Sequence, residues 1–64
     1  MKNLELNKLR VMGYLRRRPG EFFQAIEIAQ SISLEKNEVI IAATSLVAAK
    51  MISKEGTWYG LQRT

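Results

Sequence analysis

The stretch that most constrains this chain is residues 34–52, which runs from Leu34 to Ile52 without Gly or Pro and is rich in Ala and aliphatic residues. Apolar residues recur at Val39, Ala42, Ala43, Leu46 and Ala49. That i, i+3, i+4, i+7 spacing is the buried face of a helix, so the run predicts a central helix packed on the rest of the chain. A step of about 100° per residue puts Asn37, Ile41, Thr44 and Ala48 on the opposite face, with Ile40 and Ser45 at its edges. Half of that outer stripe is apolar, which water alone does not explain.

Upstream, residues 3–18 pass no helix breaker except Gly13, and Leu4, Val11, Met12 and Leu15 share one helical face with Leu9 at its flank. A first helix follows, with Arg16, Arg17 and Arg18 in its last turn, where cations offset the negative end of the helix dipole. Pro19-Gly20 ends it, because Pro disfavours helical geometry in the preceding residue and Gly supplies a tight turn. Phe22-Phe23 reads as a short extended stretch whose rings roof the core. From Gln24 to Ile32, Ala25, Ile28, Ala29 and Ile32 resume helical spacing and predict a second, shorter helix that lacks a Ser, Thr, Asp or Asn cap. Ser33 is then the expected N-cap of the third helix, with Leu34 tucked into the core.

After Lys50 the pattern alternates. Met51 to Lys54 and Thr57 to Leu61 flank Glu55-Gly56, which predicts a hairpin turning at those two residues. That register pairs Lys54 with Thr57, Ser53 with Trp58 and Ile52 with Tyr59. It places Ile52, Tyr59 and Leu61 on the core side and Ser53 and Trp58 outside. Gln62-Arg63-Thr64 reads as a fraying tail.

Sixty-four residues suit a single domain, residues 1–64, near the lower limit for a core without staples. The sequence holds no Cys and no His. Disulfides, thiol nucleophiles, Cys/His zinc sites and imidazole chemistry are therefore absent. No carboxylate, Lys, Ser, Thr or Tyr pairing suggests a nucleophile with its base, and no Gly-rich loop cradles phosphate. The expectation is a non-enzyme without cofactor, metal or small-molecule substrate. With no secretory pattern and no apolar run near the ~20 residues that span a bilayer, no membrane role is expected and the chain reads as cytoplasmic.

The formal net charge of +4 is unevenly spread. Residues 1–18 carry Lys2, Lys8, Arg10, Arg16, Arg17 and Arg18 against Glu5, for +5. Residues 19–49 carry Lys36 against Glu21, Glu27, Glu35 and Glu38, for −3, and residues 50–64 carry Lys50, Lys54 and Arg63 against Glu55, for +2. A basic total suits a polyanionic partner.

Taken in order, Ile28-Ala29, Ser33-Leu34, Val39, Ala43 and Leu46, Lys50-Met51-Ile52 and Trp58-Tyr59-Gly60-Leu61 carry a resemblance to the winged helix-turn-helix family over about residues 5–62. The resemblance implies a mainly α fold of three helices with a small β-hairpin. It also implies a small cytoplasmic DNA-binding protein acting in transcription regulation, with the third helix in the major groove of double-stranded DNA and the hairpin as a wing. By position, Lys36, Asn37, Ile40, Ile41 and Thr44 would face bases, Ser33 would lie near a phosphate, and Lys54 and Thr57, with Trp58 beside them, would be wing contacts. Arg16, Arg17 and Arg18 are candidate phosphate anchors. The third helix departs from the family pattern, since Ile41 and Ala48 stand where groove readers carry hydrogen-bonding side chains. A second reading therefore stands beside the first: an interaction or dimerisation module in which Ile40, Ile41, Thr44, Val47, Ala48 and Trp58 meet a second copy or another protein.

Overall fold

A computed structural model of the chain describes residues 3–61, which form three helices and a small three-stranded antiparallel sheet. The order is α1 (Leu4–Arg16), β1 (Phe22–Gln24), α2 (Ala25–Ile32), α3 (Lys36–Ala48), β2 (Ser53–Glu55) and β3 (Trp58–Gly60). This mainly α arrangement is compatible with a winged-helix layout.

α1 starts where Asn3 accepts a hydrogen bond from the Leu6 amide through Oδ1 at 3.0 Å. Val11, Met12 and Leu15 line its buried face as expected, joined by Asn7, which the apolar pattern does not flag. Leu4 and Leu9 are exposed, Leu9 to 70%. Gly20, at φ 84°, turns the chain into β1, and its amide donates to the Leu61 carbonyl at 2.8 Å. Phe23 packs against the core and meets Tyr14 edge-on, with ring centroids 5.1 Å apart.

α2 and α3 begin with the same device. Gln24 and Glu35 occupy the N-cap positions, and three residues on Glu27 and Glu38 turn back to accept from the cap amides at 3.0 and 3.1 Å. Each pair is a reciprocal capping box, so the acidic residues at these positions satisfy helix amides that would otherwise lack partners. Ser33 is not the N-cap of α3. It closes α2 in a left-handed conformation at φ 59°, and its amide and that of Leu34 both donate to the Ala29 carbonyl. α3 ends in a matching way, with Lys50 at φ 62° and the Met51 amide donating to the Leu46 carbonyl at 2.9 Å. These are Schellman-type exits built without glycine. Ala49 is correspondingly the cap of α3 and exposed, not a member of its buried face.

The core lies between the helices: Val11 and Leu15 from α1, Ile28 from α2 and Val39 from α3 are fully buried, and Ala42, Ala43 and Leu46 let α3 pack closely on both partners. Leu34 is half-buried against this core, as expected.

The sheet differs from a simple hairpin. β3 lies in the middle, paired with β2 on one side and β1 on the other, so Phe22 stands across from Gly60 and Gln24 across from Trp58. The β2–β3 turn sits at Gly56-Thr57, one residue later than expected, with Gly56 at φ 63°. Ser53 therefore pairs with Gly60, Lys54 with Tyr59 and Glu55 with Trp58. This moves each β2 residue to a partner two positions along. An even displacement preserves the faces. Ile52 and Tyr59 are buried, Leu61 packs on the core, and Trp58 stays outside at 43% exposure. The tail expected at Gln62-Arg63-Thr64 lies outside the described residues. Among the described residues, no helix is long and apolar enough to cross a membrane.

Candidate nucleic-acid interface

With Val39, Ala42, Ala43 and Leu46 turned inward, helical geometry fixes what α3 presents outward. Asn37, Ile41, Thr44 and Ala48 are all exposed, Ile41 to 56%. Ile40 and Val47, between this stripe and the core face, are half-buried against the core.

On the Lys36–Ile40 flank, α3 borders an open cleft of about 270 Å³ shared with the start of α2 and with the β2–β3 hairpin. Four of the sequence-predicted residues, Lys36, Ile40, Lys54 and Thr57, line it together. They come from segments about twenty residues apart, brought together because β2 and β3 return the chain beside the first turn of α3. Lys54 and Tyr59 are cross-strand partners, and the Lys54 Nζ lies 5.6 Å from the Tyr59 ring centroid. That aromatic face steadies the ammonium while leaving the residue exposed. Two residues not anticipated from the sequence, Gln24 and Ile26, complete the cleft on the α2 side. Ile26 is 43% exposed, and its only sequence signal is that it falls off the Ala25, Ile28, Ala29, Ile32 face.

Other candidates lie elsewhere. Ser33 is exposed at the α2 exit. Arg16 borders a groove on α1 with Leu9 and Met51, and Arg17 a separate hollow with Arg10 and Tyr14. Arg18 stacks on the Tyr14 ring, its Cζ 4.2 Å from the centroid, and donates to the Tyr14 carbonyl at 3.2 Å. The Arg10 guanidinium donates to the Ile32 carbonyl at the end of α2. Of the basic N-terminal segment, Arg10 thus ties α1 to the end of α2 and Arg18 folds back on the last turn of α1, and the lining of the α3 cleft includes none of Arg16, Arg17 and Arg18. The alternative apolar set also divides. Ile41, Thr44 and Ala48 form one exposed strip, whereas Trp58 is on the opposite sheet face from the cleft-lining Tyr59, as alternation along β3 requires.

The geometry also accounts for the acidic middle of the chain. Glu27 and Glu38 sit in the first turns of α2 and α3, bonded to backbone amides and near the positive ends of the helix dipoles. Their charges are partly offset there, so the formal −3 overstates the repulsion that a phosphate approaching Lys36 and Lys54 would meet. Among the described residues, no group of three or more His, Cys, Asp or Glu could hold a metal ion. No protein-family model, no curated protein and no solved structure matches this chain.

Proposed function

We propose that this chain is a winged helix-turn-helix protein that binds double-stranded DNA and regulates transcription. α3 would enter the major groove and the β2–β3 wing would contact the adjacent backbone. The observation that carries this reading is the joining of Lys36 and Ile40 on α3 with Lys54 and Thr57 on the wing along one cleft, beside the exposed stripe of Asn37, Ile41 and Thr44. Each part has a role on duplex DNA. Asn37 offers the amide that reads adenine, Thr44 a hydroxyl, and Ile41 an apolar surface for a thymine methyl. Lys36 and Lys54 would neutralise phosphates and supply most of the affinity.

The test is a titration of labelled duplex with the wild-type chain and with Asn37→Ala/Thr44→Ala, at low and moderate salt. Wild-type binding that weakens with salt is expected, with the double variant weaker by about 1–3 kcal/mol. Equal binding by both would reject base reading by α3.

The exposure of Ile41, 56% on an outward helix face, supports a second reading in which α3 meets another protein. Ile41→Asp separates the two. On DNA it acts as one lost contact plus a repulsive charge, and with salt-insensitive partner binding it abolishes association.

A further inference from the structure

The side of the molecule carried by α1 shares no residue with the cleft described above, and it holds the most exposed large apolar residue of those described. Leu9, 70% exposed, stands with Gly13 on a ridge between two concavities. One is a groove of about 220 Å³ whose apolar wall is Met12, Leu46 and Met51. Met51 is itself 46% exposed, and apart from the adjoining residues and backbone of α1 itself no atom lies within 4 Å of where a β-carbon on Gly13 would be. A ridge beside a groove of matching chemistry is the geometry by which helices pack.

What fits this surface follows from its own pattern. α1 contributes Glu5, Lys8, Leu9, Met12, Gly13 and Arg16 to the groove. A two-fold axis passing between Arg10 and Val11 and running across α1 pairs these six with one another: Glu5 with Arg16, Leu9 with Met12, and Lys8 with Gly13. Every groove residue of α1 finds its counterpart within the set. The pairs are also chemically matched, carboxylate to guanidinium, apolar to apolar, and a long methylene stem to the open space over glycine. Glu5 already bonds Lys8 at 3.0 Å on the same helix, so the incoming Arg16 would complete a three-charge cluster.

We propose that two copies of this chain associate through α1, antiparallel about a two-fold axis, with Leu9 of each copy seated in the Met12–Leu46–Met51 groove of the other. Such an isologous interface is self-complementary by construction and leaves the outer stripe of α3 and the wing open on both copies. It also answers the size of the domain, since small cores commonly gain stability from a partner subunit.

Sedimentation equilibrium of the full chain, from micromolar to millimolar concentration and without DNA, tests this. The expected mass at the upper end is twice 7.3 kDa. Leu9→Glu, at an exposed position, should retain the helical circular dichroism of the parent and weaken dimerisation on the order of 100-fold. Glu5→Arg should weaken it by about tenfold, and Glu5→Arg/Arg16→Glu should restore it, because the swap re-forms both pairs. A parent that stays at 7.3 kDa throughout overturns the proposal. So does a dimer untouched by Leu9→Glu, a charge reversal without rescue, or a dimer broken by Ile41→Asp instead. DNA titration decides the function proposed above separately from this result.

Discussion

Gly60 stands directly across from Phe22, and a β-carbon on Gly60 would come within 2.5 Å of the Glu21 carbonyl oxygen and 2.9 Å of the Phe22 ring. Side-chain flexibility cannot relieve a contact with a backbone oxygen. Gly60→Ala must therefore push β1 away from β3, and we expect it to destabilise the fold by about 1–3 kcal/mol. Urea unfolding followed by Trp58 fluorescence measures this; an unchanged midpoint would show that the two strands are less tightly apposed.

Ser33 occupies a left-handed backbone position at φ 59°, where a β-carbon is disfavoured. Ser33→Gly should raise stability by about 0.5–1 kcal/mol, read as an increase in thermal midpoint. On the proposed function, the same variant also decides whether the hydroxyl touches a phosphate. A more stable protein with unaltered DNA affinity assigns Ser33 to the helix exit alone.

Glu27 closes the capping box at the start of α2 by accepting from the Gln24 amide. Removing the acceptor in Glu27→Ala should cost about 0.5–2 kcal/mol, whereas Glu27→Gln should cost less because the amide oxygen still accepts. Equal losses in the two variants would point to the charge and not the bond.

Lys36 and Lys54 line one cleft, while Arg18 is held against Tyr14. On the proposed function, Lys36→Gln/Lys54→Gln should lower the slope of log affinity against log salt by about 2. Arg18→Gln should leave that slope in place and instead reduce stability by about 1 kcal/mol through the lost stacking and hydrogen bond. The reverse pattern would move the phosphate anchor from the wing to the end of α1.

Local periodicity carried much of this fold. Val11, Met12 and Leu15 on α1, Ala25, Ile28 and Ala29 on α2, Val39, Ala42, Ala43 and Leu46 on α3, and the exposure of Asn37, Ile41, Thr44 and Ala48 follow from spacing along single helices, whereas Leu4 and Ala49, at helix ends, are exposed against that spacing; Trp58 and Tyr59 take the faces that alternation assigns them. What spacing did not reveal is non-local or chemically ambiguous. Ser33 has the side chain of an N-cap, yet the box Glu35-Lys36-Asn37-Glu38 outcompetes it and repeats the pattern of Gln24-Ala25-Ile26-Glu27. The pairing of β1 with β3 depends on residues more than thirty positions apart, for which three residues of pattern provide no signal. At the candidate site, Lys36, Ile40, Lys54 and Thr57 were legible from family-like position, but Ile26 entered only through the meeting of α2 with the β2–β3 hairpin.

The strand that comes last in the chain is the one on which both others hang, since the order across the sheet is β1-β3-β2. While the polypeptide is still emerging from the ribosome, Phe22–Gln24 and Ser53–Glu55 each lack a ladder partner until residues 58–60 clear the exit tunnel. The sheet therefore cannot close before residues 58–60 are available, whatever the helices have formed by then. A lesion that ends the chain just upstream of Trp58 would thus remove both ladders at once, together with the buried Tyr59.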